Sequence, residues 1–215
     1  MSPDMRIYTN SGLFSERLDL LHAAVDGVND IRILQGKIPC SYSGNDEERR
    51  FISYTEAFSY NKNRGQVDAD ALAFIIDSES GIYRSSPNNL IFTDRNLYCE
   101  ESDYVVGLTF SDKKISIQSV YLIIKATNDK ILQKEAVKYV ARRSYASLAG
   151  LINPEDYATP SVVDGIARAD CCKEDCTMHE ISSVDEIFHL VESPYYRDNI
   201  AGLCLDCVKS VIKKA

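Results

Sequence analysis

The sequence predicts an α+β fold, a twisted mixed sheet packed with helices and followed by a cysteine-rich C-terminal subdomain. Three features carry this prediction. Short apolar runs of strand length are interspersed with longer segments of helical periodicity. The longest helical pattern, residues 128–151, reaches a glycine, Gly150, which suits the left-handed conformation just past a helix end. Five of the seven cysteines fall within the last forty-five residues, so that end of the chain carries its own chemistry.

Residues 5–8 read as a first strand, and Ser15 opens a helix whose Leu18, Leu21, Val25 and Val28 recur at helical spacing. His22 falls on that stripe and reads as a packed, hydrogen-bonded core residue rather than a ligand. Residues 31–34 are a second strand candidate, followed by a polar loop through residues 41–50 in which Asp46, Glu47 and Glu48 form a solvated charge run. Ala69, Leu72, Ala73 and Ile76 give residues 66–77 the spacing of an amphipathic helix, with Asp68 and Asp70 near its start, where the dipole favours them. Three apolar runs follow at 89–92, 104–110 and 115–124, with Asp112, Lys113 and Lys114 as a hairpin turn between the last two.

The long helix of 128–151 carries Ile131, Leu132, Val137, Val140 and Leu148. Pro154 and Pro160 break the pattern after it. Ser183 and Glu186 form a capping box ahead of a short helix that turns Val184, Ile187, Phe188 and Val191 inward, and residues 205–213 make a last helix. The expected organisation is 1–152 for the sheet and long helix and 153–215 for an insert plus the cysteine subdomain, together one compact unit.

The net charge is -8 and the pI about 5.0. That balance argues against phosphate backbones and anionic membrane surfaces as partners. No run approaches the ~20 apolar residues of a membrane span, and the first residues lack a secretory pattern. A cytoplasmic protein is expected, and in a reducing compartment its cysteines favour metal binding or buried thiols over disulfides.

Cys171, Cys172, Cys176 and Met178 stand close together, and Cys204 and Cys207 form a CxxC pair further on. Two close pairs separated by a longer span suit a closed tetrahedral Zn²⁺ site built by Cys171, Cys176, Cys204 and Cys207, one structural ion per chain. Cys172 could replace Cys171 as ligand. Reduced core cysteines are the plain alternative. A redox CxxC is weaker, because such a motif normally follows a βαβ pattern and this one lies at the chain's end.

These residues resemble the archaemetzincins, small zinc metallopeptidases whose motif runs HExxHxxG, then C-x4-C-x-M, then CxxC. Cys171, Cys176 and Met178 match the second part and Cys204 and Cys207 the third. Arg64, Gly65 and Gln66 resemble the family's RGQ segment, and the stretch from Thr93 to Tyr98 followed by Asp103 to Gly107 resembles its strand pattern. Ser119 falls where the family's next strand carries a serine. The resemblance runs from about Gln66 to Cys207 and implies a metzincin-like sheet with an active-site helix packed against it.

The departures are as informative. Aligned through Gly150, the HExxH positions fall on Arg143, Ser144, Tyr145, Ala146 and Ser147; aligned through Glu135, they fall on Lys138, Tyr139, Val140, Ala141 and Arg142. Neither register supplies a zinc ligand or a base, and no histidine lies between His22 and His179. Asp170 stands where the family has its third histidine, behind a long insert over 152–169. Arg142 and Arg143 either intrude on the pocket as cations or lie on an exposed helix face. His179 and His189 share no helix face with a second histidine, and His189 reads as a surface or boundary residue. These departures lead to the expectation that the protein is not an enzyme but a zinc-stabilised pseudo-metallopeptidase acting as a protein- or peptide-binding module, with Tyr42, Tyr54, Tyr60, Tyr195 and Tyr196 suited to recognition. Two alternatives stand beside it: a peptidase with a non-standard metal site drawing on His22, His179, Asp170 or Glu135, and a structural subunit of a larger assembly.

Overall fold

The computed structural model describes residues 5–42, 44–78, 88–100, 102–110, 112–151, 162–163, 166–167, 176–178 and 183–213. A first sheet has the order β1 (Arg6–Thr9), β4 (Asn89–Thr93), β8 (Ile115–Ser119), β7 (Gly107–Phe110). β1, β4 and β8 are parallel and β7 closes the row as an antiparallel edge. Both faces of β4 and β8 are buried throughout, which explains the unbroken apolar run of β4; β8 alternates Ile115 and Ile117 with Ser116 and Gln118, and the Gln118 Nε2 donates to the Ser116 hydroxyl at 2.7 Å. A second sheet is ordered β2 (Tyr60–Asn61), β3 (Gln66–Asp68), β5 (Leu97–Cys99), β6 (Ser102–Val105), and a hairpin pairs β9 (Val162–Val163) with β10 (Ile166–Ala167).

One face of the first sheet is covered by α2 (Leu18–Leu34) and α6 (Lys130–Leu148), which share a core with Ile7, Leu90 and Phe92. The two helices approach closely at Gly27. A Cβ there would lie 2.5 Å from the Lys138 carbonyl oxygen and 2.9 Å from its Cα, so only glycine admits this approach. Tyr8, Ile91 and Ile117 point to the other face and pack with Ile52 of α3 (Asp46–Phe58) and Leu72 and Ile76 of α4 (Ala69–Ser78). The short helices α1 (Ser11–Glu16) and α5 (Tyr121–Ala126) link these layers. α7 (Val184–Glu192), α8 (Pro194–Asp198), a 3-10 turn (Ile200–Gly202) and α9 (Leu205–Lys213) extend the first core, so that Cys176, Cys204 and Cys207 are buried in the same cluster as Tyr139 and Leu148.

Several expectations change. Residues 31–34 are the last turns of α2 rather than a strand, because Ala24, Gly27, Val28 and Ile31 continue one buried stripe and tertiary burial overrides a short β-branched run. The first helix breaks at Arg17, whose φ of -139° and ψ of 46° separate α1 from α2. His22 is exposed rather than packed in the core. The expected loop of 41–50 holds the start of α3, where Asn45 and Glu48 form a reciprocal capping box, and the acidic run sits in the first turn, where the helix dipole favours it. The run at 104–110 divides between two sheets, and the run at 115–124 leaves β8 at Ser119 to enter α5. Residues 66–68 are strand, with α4 starting at Ala69. The long helix is observed as Lys130–Leu148, capped by the Asp129 side chain, with Gly150 at φ +59° beyond its end.

Candidate metal centre

The C-terminal thiols converge because two short segments are stitched together through backbone. Thr177 donates its N–H to the Gly202 carbonyl at 2.8 Å, and its hydroxyl lies 2.9 Å from the Ala201 carbonyl and 3.1 Å from that of Gly202. Gly202 has a φ of +65°, which reverses the chain ahead of Cys204. Cys204 immediately precedes α9 and Cys207 lies in its first turn. The helix start brings N–H groups and a partial positive charge to that end. The N–H of Cys204 points at the Cys176 sulfur, 3.3 Å away.

The Sγ atoms of Cys176, Cys204 and Cys207 all lie within 4.8 Å of one another, and all three residues are buried. The Cys176 and Cys207 sulfurs are 3.7 Å apart. Four thiolates around Zn²⁺ at about 2.3 Å would stand about 3.8 Å apart, so this spacing fits such an ion. Met178, fully buried, belongs to the same core. The cluster could hold a metal ion, and it is the one such group of three or more donors among the described residues. Cys171, Cys172, Asp170, His179 and the 152–161 part of the insert lie outside the described residues, so the structure places three of the four expected ligands together.

On α6, Arg142 is buried, which decides against the exposed helix face, one of its two expected placements. Its Nε and Nη2 contact Asp30 Oδ2 of α2 at 2.9 and 2.5 Å, and Nη1 donates to the Tyr196 hydroxyl. Burial opposes the guanidinium charge, but Tyr196 and Asp30 reverse that effect and raise its pKa. Arg143 and Ser147 are half-buried, Ser144 bonds back to the Val140 carbonyl at 2.8 Å, and the Tyr145 hydroxyl reaches Gln35 Oε1 at 2.9 Å. His189 is exposed on α7, as a surface residue should be. Tyr54, Tyr60 and Tyr195 are exposed, Tyr42 is half-buried, and Tyr196 is buried. Tyr196 is therefore a core residue, which corrects its place among the tyrosines expected at a recognition surface.

A second polar cluster at the carboxyl ends of β1 and β4 gave no sequence signal. Glu56, 3% exposed, faces Asn10, Thr93 and Asp94. Burial and, to a lesser degree, the Asp94 charge push its pKa up to about 7, against hydrogen bonds from Thr93 and Asn10.

A long helix beneath a mixed sheet, with a buried three-thiol cluster in the same core, defines an α+β protein equipped to bind a metal through thiolates. No family model and no curated protein matches the chain. Solved structures do. An archaemetzincin from Methanopyrus kandleri superposes with a TM-score of 0.63 at 18% identity, over 98% of this chain and 93% of that one. A zinc-dependent peptidase from Methanocorpusculum labreanum gives 0.58 at 12% identity over 96% and 99%, and an archaemetzincin from Archaeoglobus fulgidus, complexed with malonate, gives 0.57 at 15% over 96% and 98%. The chain is archaemetzincin-like and has the archaemetzincin fold across nearly its whole length.

These likenesses correct the expectation of a non-enzyme. The solved proteins that share the fold include a zinc-dependent peptidase, so the scaffold is one on which peptidase chemistry is carried. That α6 carries no histidine is a fact of the sequence and says nothing by itself about activity. None of the described helices is long and apolar enough to cross a membrane.

Proposed function

We propose that this chain is a zinc-binding, peptidase-like protein that takes an extended peptide or protein segment as its ligand, with Zn²⁺ held by Cys176, Cys204, Cys207 and Cys171. The observation that carries the reading is the buried three-thiol cluster at tetrahedral spacing on an archaemetzincin fold. Thiolates in a closed, buried set make the ion structural, joining α9 to the segment around Cys176. A reducing cytoplasm suits such a site, since it keeps the thiols available to the metal.

Support for a peptide ligand comes from β7. It is the terminal strand of the first sheet among the described residues. The Ser119 N–H bonds to the Val106 carbonyl at 2.7 Å, in register with the β7–β8 pairing. Alternation along an antiparallel pair then turns the N–H and C=O of Gly107 and Thr109 away from β8. Two such groups spaced along an edge can receive an extended segment as an added strand. The Gln118 side chain packs over Gly107, where a Cβ would meet its Oε1 at 1.9 Å, so the edge stays narrow at that point.

Elemental analysis of protein purified without added metal tests the first half, with about one zinc per chain expected and its loss on Cys204→Ser. Screening an immobilised peptide library against wild type and Thr109→Pro tests the second. Proline at that edge removes an outward N–H, so binding that is unchanged by the substitution would refute β7 as the docking edge. The same peptides are assayed for cleavage with and without chelator, and chelator-sensitive hydrolysis would assign a peptidase reaction.

A further inference from the structure

Arg142 is an expensive residue to place where it is. Its side chain is buried between helices, and an arginine cannot shed its proton to escape the desolvation cost. Asp30 answers the charge through one oxygen that receives both Nε and Nη2. The remaining terminal nitrogen, Nη1, is spent on a neutral hydroxyl, that of Tyr196. Burial pushes the Tyr196 phenol well above its ordinary range, more than Arg142 draws it down, so the hydroxyl stays neutral and accepts from the guanidinium.

Tyr196 in turn fills the space against the metal knuckle. Its ring leans on Gly202 so tightly that a Cβ at Gly202 would stand 2.2 Å from Cε2 and 2.7 Å from the Thr177 hydroxyl oxygen. Gly202 is the residue whose carbonyl holds the Thr177 N–H, and Thr177 is flanked by Cys176, whose sulfur receives the Cys204 N–H. A continuous path of contacts therefore runs from Asp30 on α2, through Arg142 on α6 and Tyr196 on α8, to the two segments that bear the thiols.

We infer that Arg142 and Tyr196 are positioning residues for the thiol cluster, a latch that fixes the Gly202 turn so that Cys176 and the Cys204–Cys207 pair are held at metal-binding spacing before any ion arrives. The inference rests on the reading of the cluster as a zinc site. Pre-alignment lowers the ordering cost of binding; losing a group bonded directly to a metal ligand typically changes affinity by about 10–100-fold, which sets the ceiling for residues that act on the cysteines through Gly202 and Thr177. Coupling is reciprocal, so zinc tightens the Arg142–Tyr196 contact by the same factor.

The test measures the zinc dissociation constant of the full chain by competition with a chromophoric chelator, on wild type, Tyr196→Phe, Arg142→Met and Arg142→Lys. Tyr196→Phe keeps the ring on Gly202 and deletes only the hydroxyl. A loss of about tenfold is expected for Tyr196→Phe and up to about 100-fold for Arg142→Met, which also drops the Asp30 contact. Arg142→Lys, retaining charge but one donor group, falls between wild type and Arg142→Met. Leu72→Ala, in the opposite core, lowers general stability and serves as control. Equal affinities for Tyr196→Phe and wild type, or a loss for Leu72→Ala as large as for Arg142→Met, would overturn the latch.

Alkylation of Cys176 and Cys204 in metal-free protein separates the two layers of the reading. Faster alkylation in Arg142→Met and Tyr196→Phe than in wild type and Leu72→Ala is expected from an opened knuckle. If wild type binds no zinc yet shows this pattern, the metal assignment fails and the positioning role for the thiols stands; if the rates are equal, the positioning role fails whatever the metal content.

Discussion

Replacing Glu56 by glutamine should change how stability depends on pH, and the structure fixes both sign and size. Asn10 Nδ2 lies 3.1 and 2.9 Å from the two Glu56 oxygens, 3.1 Å from Thr93 Oγ1 and 2.7 Å from Asp94 Oδ1. An amide nitrogen has two hydrogens for these four acceptors. It cannot flip to relieve them, because Asn10 Oδ1 already takes the Leu13 N–H at 2.9 Å as the cap of α1. Arg95 offers little relief, with Nε 3.9 Å from Glu56 and its side chain 62% exposed. Burial first, and the Asp94 charge after it, raise the Glu56 pKa from 4.5 to about 7 against the hydrogen bonds from Thr93 and Asn10, and a proton on Glu56 also relieves the surplus of acceptors. A raised folded pKa means that the native state binds the proton more tightly than the unfolded chain. Its contribution to stability is complete below about pH 4.5 and is lost as pH climbs through about 7. At 1.36 kcal/mol per pH unit the full swing is about 3 kcal/mol. The assay is urea unfolding of wild type and Glu56→Gln at intervals from pH 4.5 to 8. The difference between the two proteins should move by about 3 kcal/mol in favour of the variant as pH rises. Any constant cost of fitting the amide cancels in that change. Parallel profiles would refute the protonated-carboxyl account.

Three further outcomes follow from particular contacts. Gly27→Ala forces a methyl group into the Lys138 backbone and should cost about 1–3 kcal/mol, read by denaturant unfolding; a neutral result would mean that α2 and α6 can slide apart freely. Asn45→Ala removes the half of the α3 capping box in which Asn45 Oδ1 accepts the Glu48 N–H, leaving the backbone N–H of residue 45 on the Glu48 carboxylate, and should cost about 1 kcal/mol, with faster amide exchange confined to the first turn of α3. Cys204→Ser should remove the zinc and lower the thermal midpoint, while chelator should lower the wild-type midpoint toward that of the variant; a midpoint indifferent to chelator would mean that the thiols act as plain core residues.

Much of the fold was legible because local rules and global burial agreed. Gly150 marks the end of α6, Ser183 and Glu186 open α7, and β4 reads as strand from its apolar run. The cysteine pairs of the C-terminal region likewise announced a thiolate cluster, and Cys176, Cys204 and Cys207 do meet. Spacing along the chain sufficed there, because short turns leave few ways for a CxxC and its partner to be arranged. The sequence alone also determined what α6 lacks, since no fold can bring a histidine to a helix that has none.

Tertiary structure decided the rest. Residues 31–34 have strand-like composition, yet they are helix with Ile31 and Arg32 buried, because the stripe that begins at Ala24 is buried only if the helix continues. The charge run at Asp46, Glu47 and Glu48 was indistinguishable from a loop until Asn45 supplied the cap. Arg142 and Arg143 are neighbours of the same type, and only the position of Asp30 and Tyr196 buries the first so deeply. Glu56 and Asn10 are 46 residues apart. Locally Asn10 is only the cap of α1 and nothing distinguishes Glu56; the meeting of β1, β4 and α3 in space gives that carboxyl its altered proton affinity.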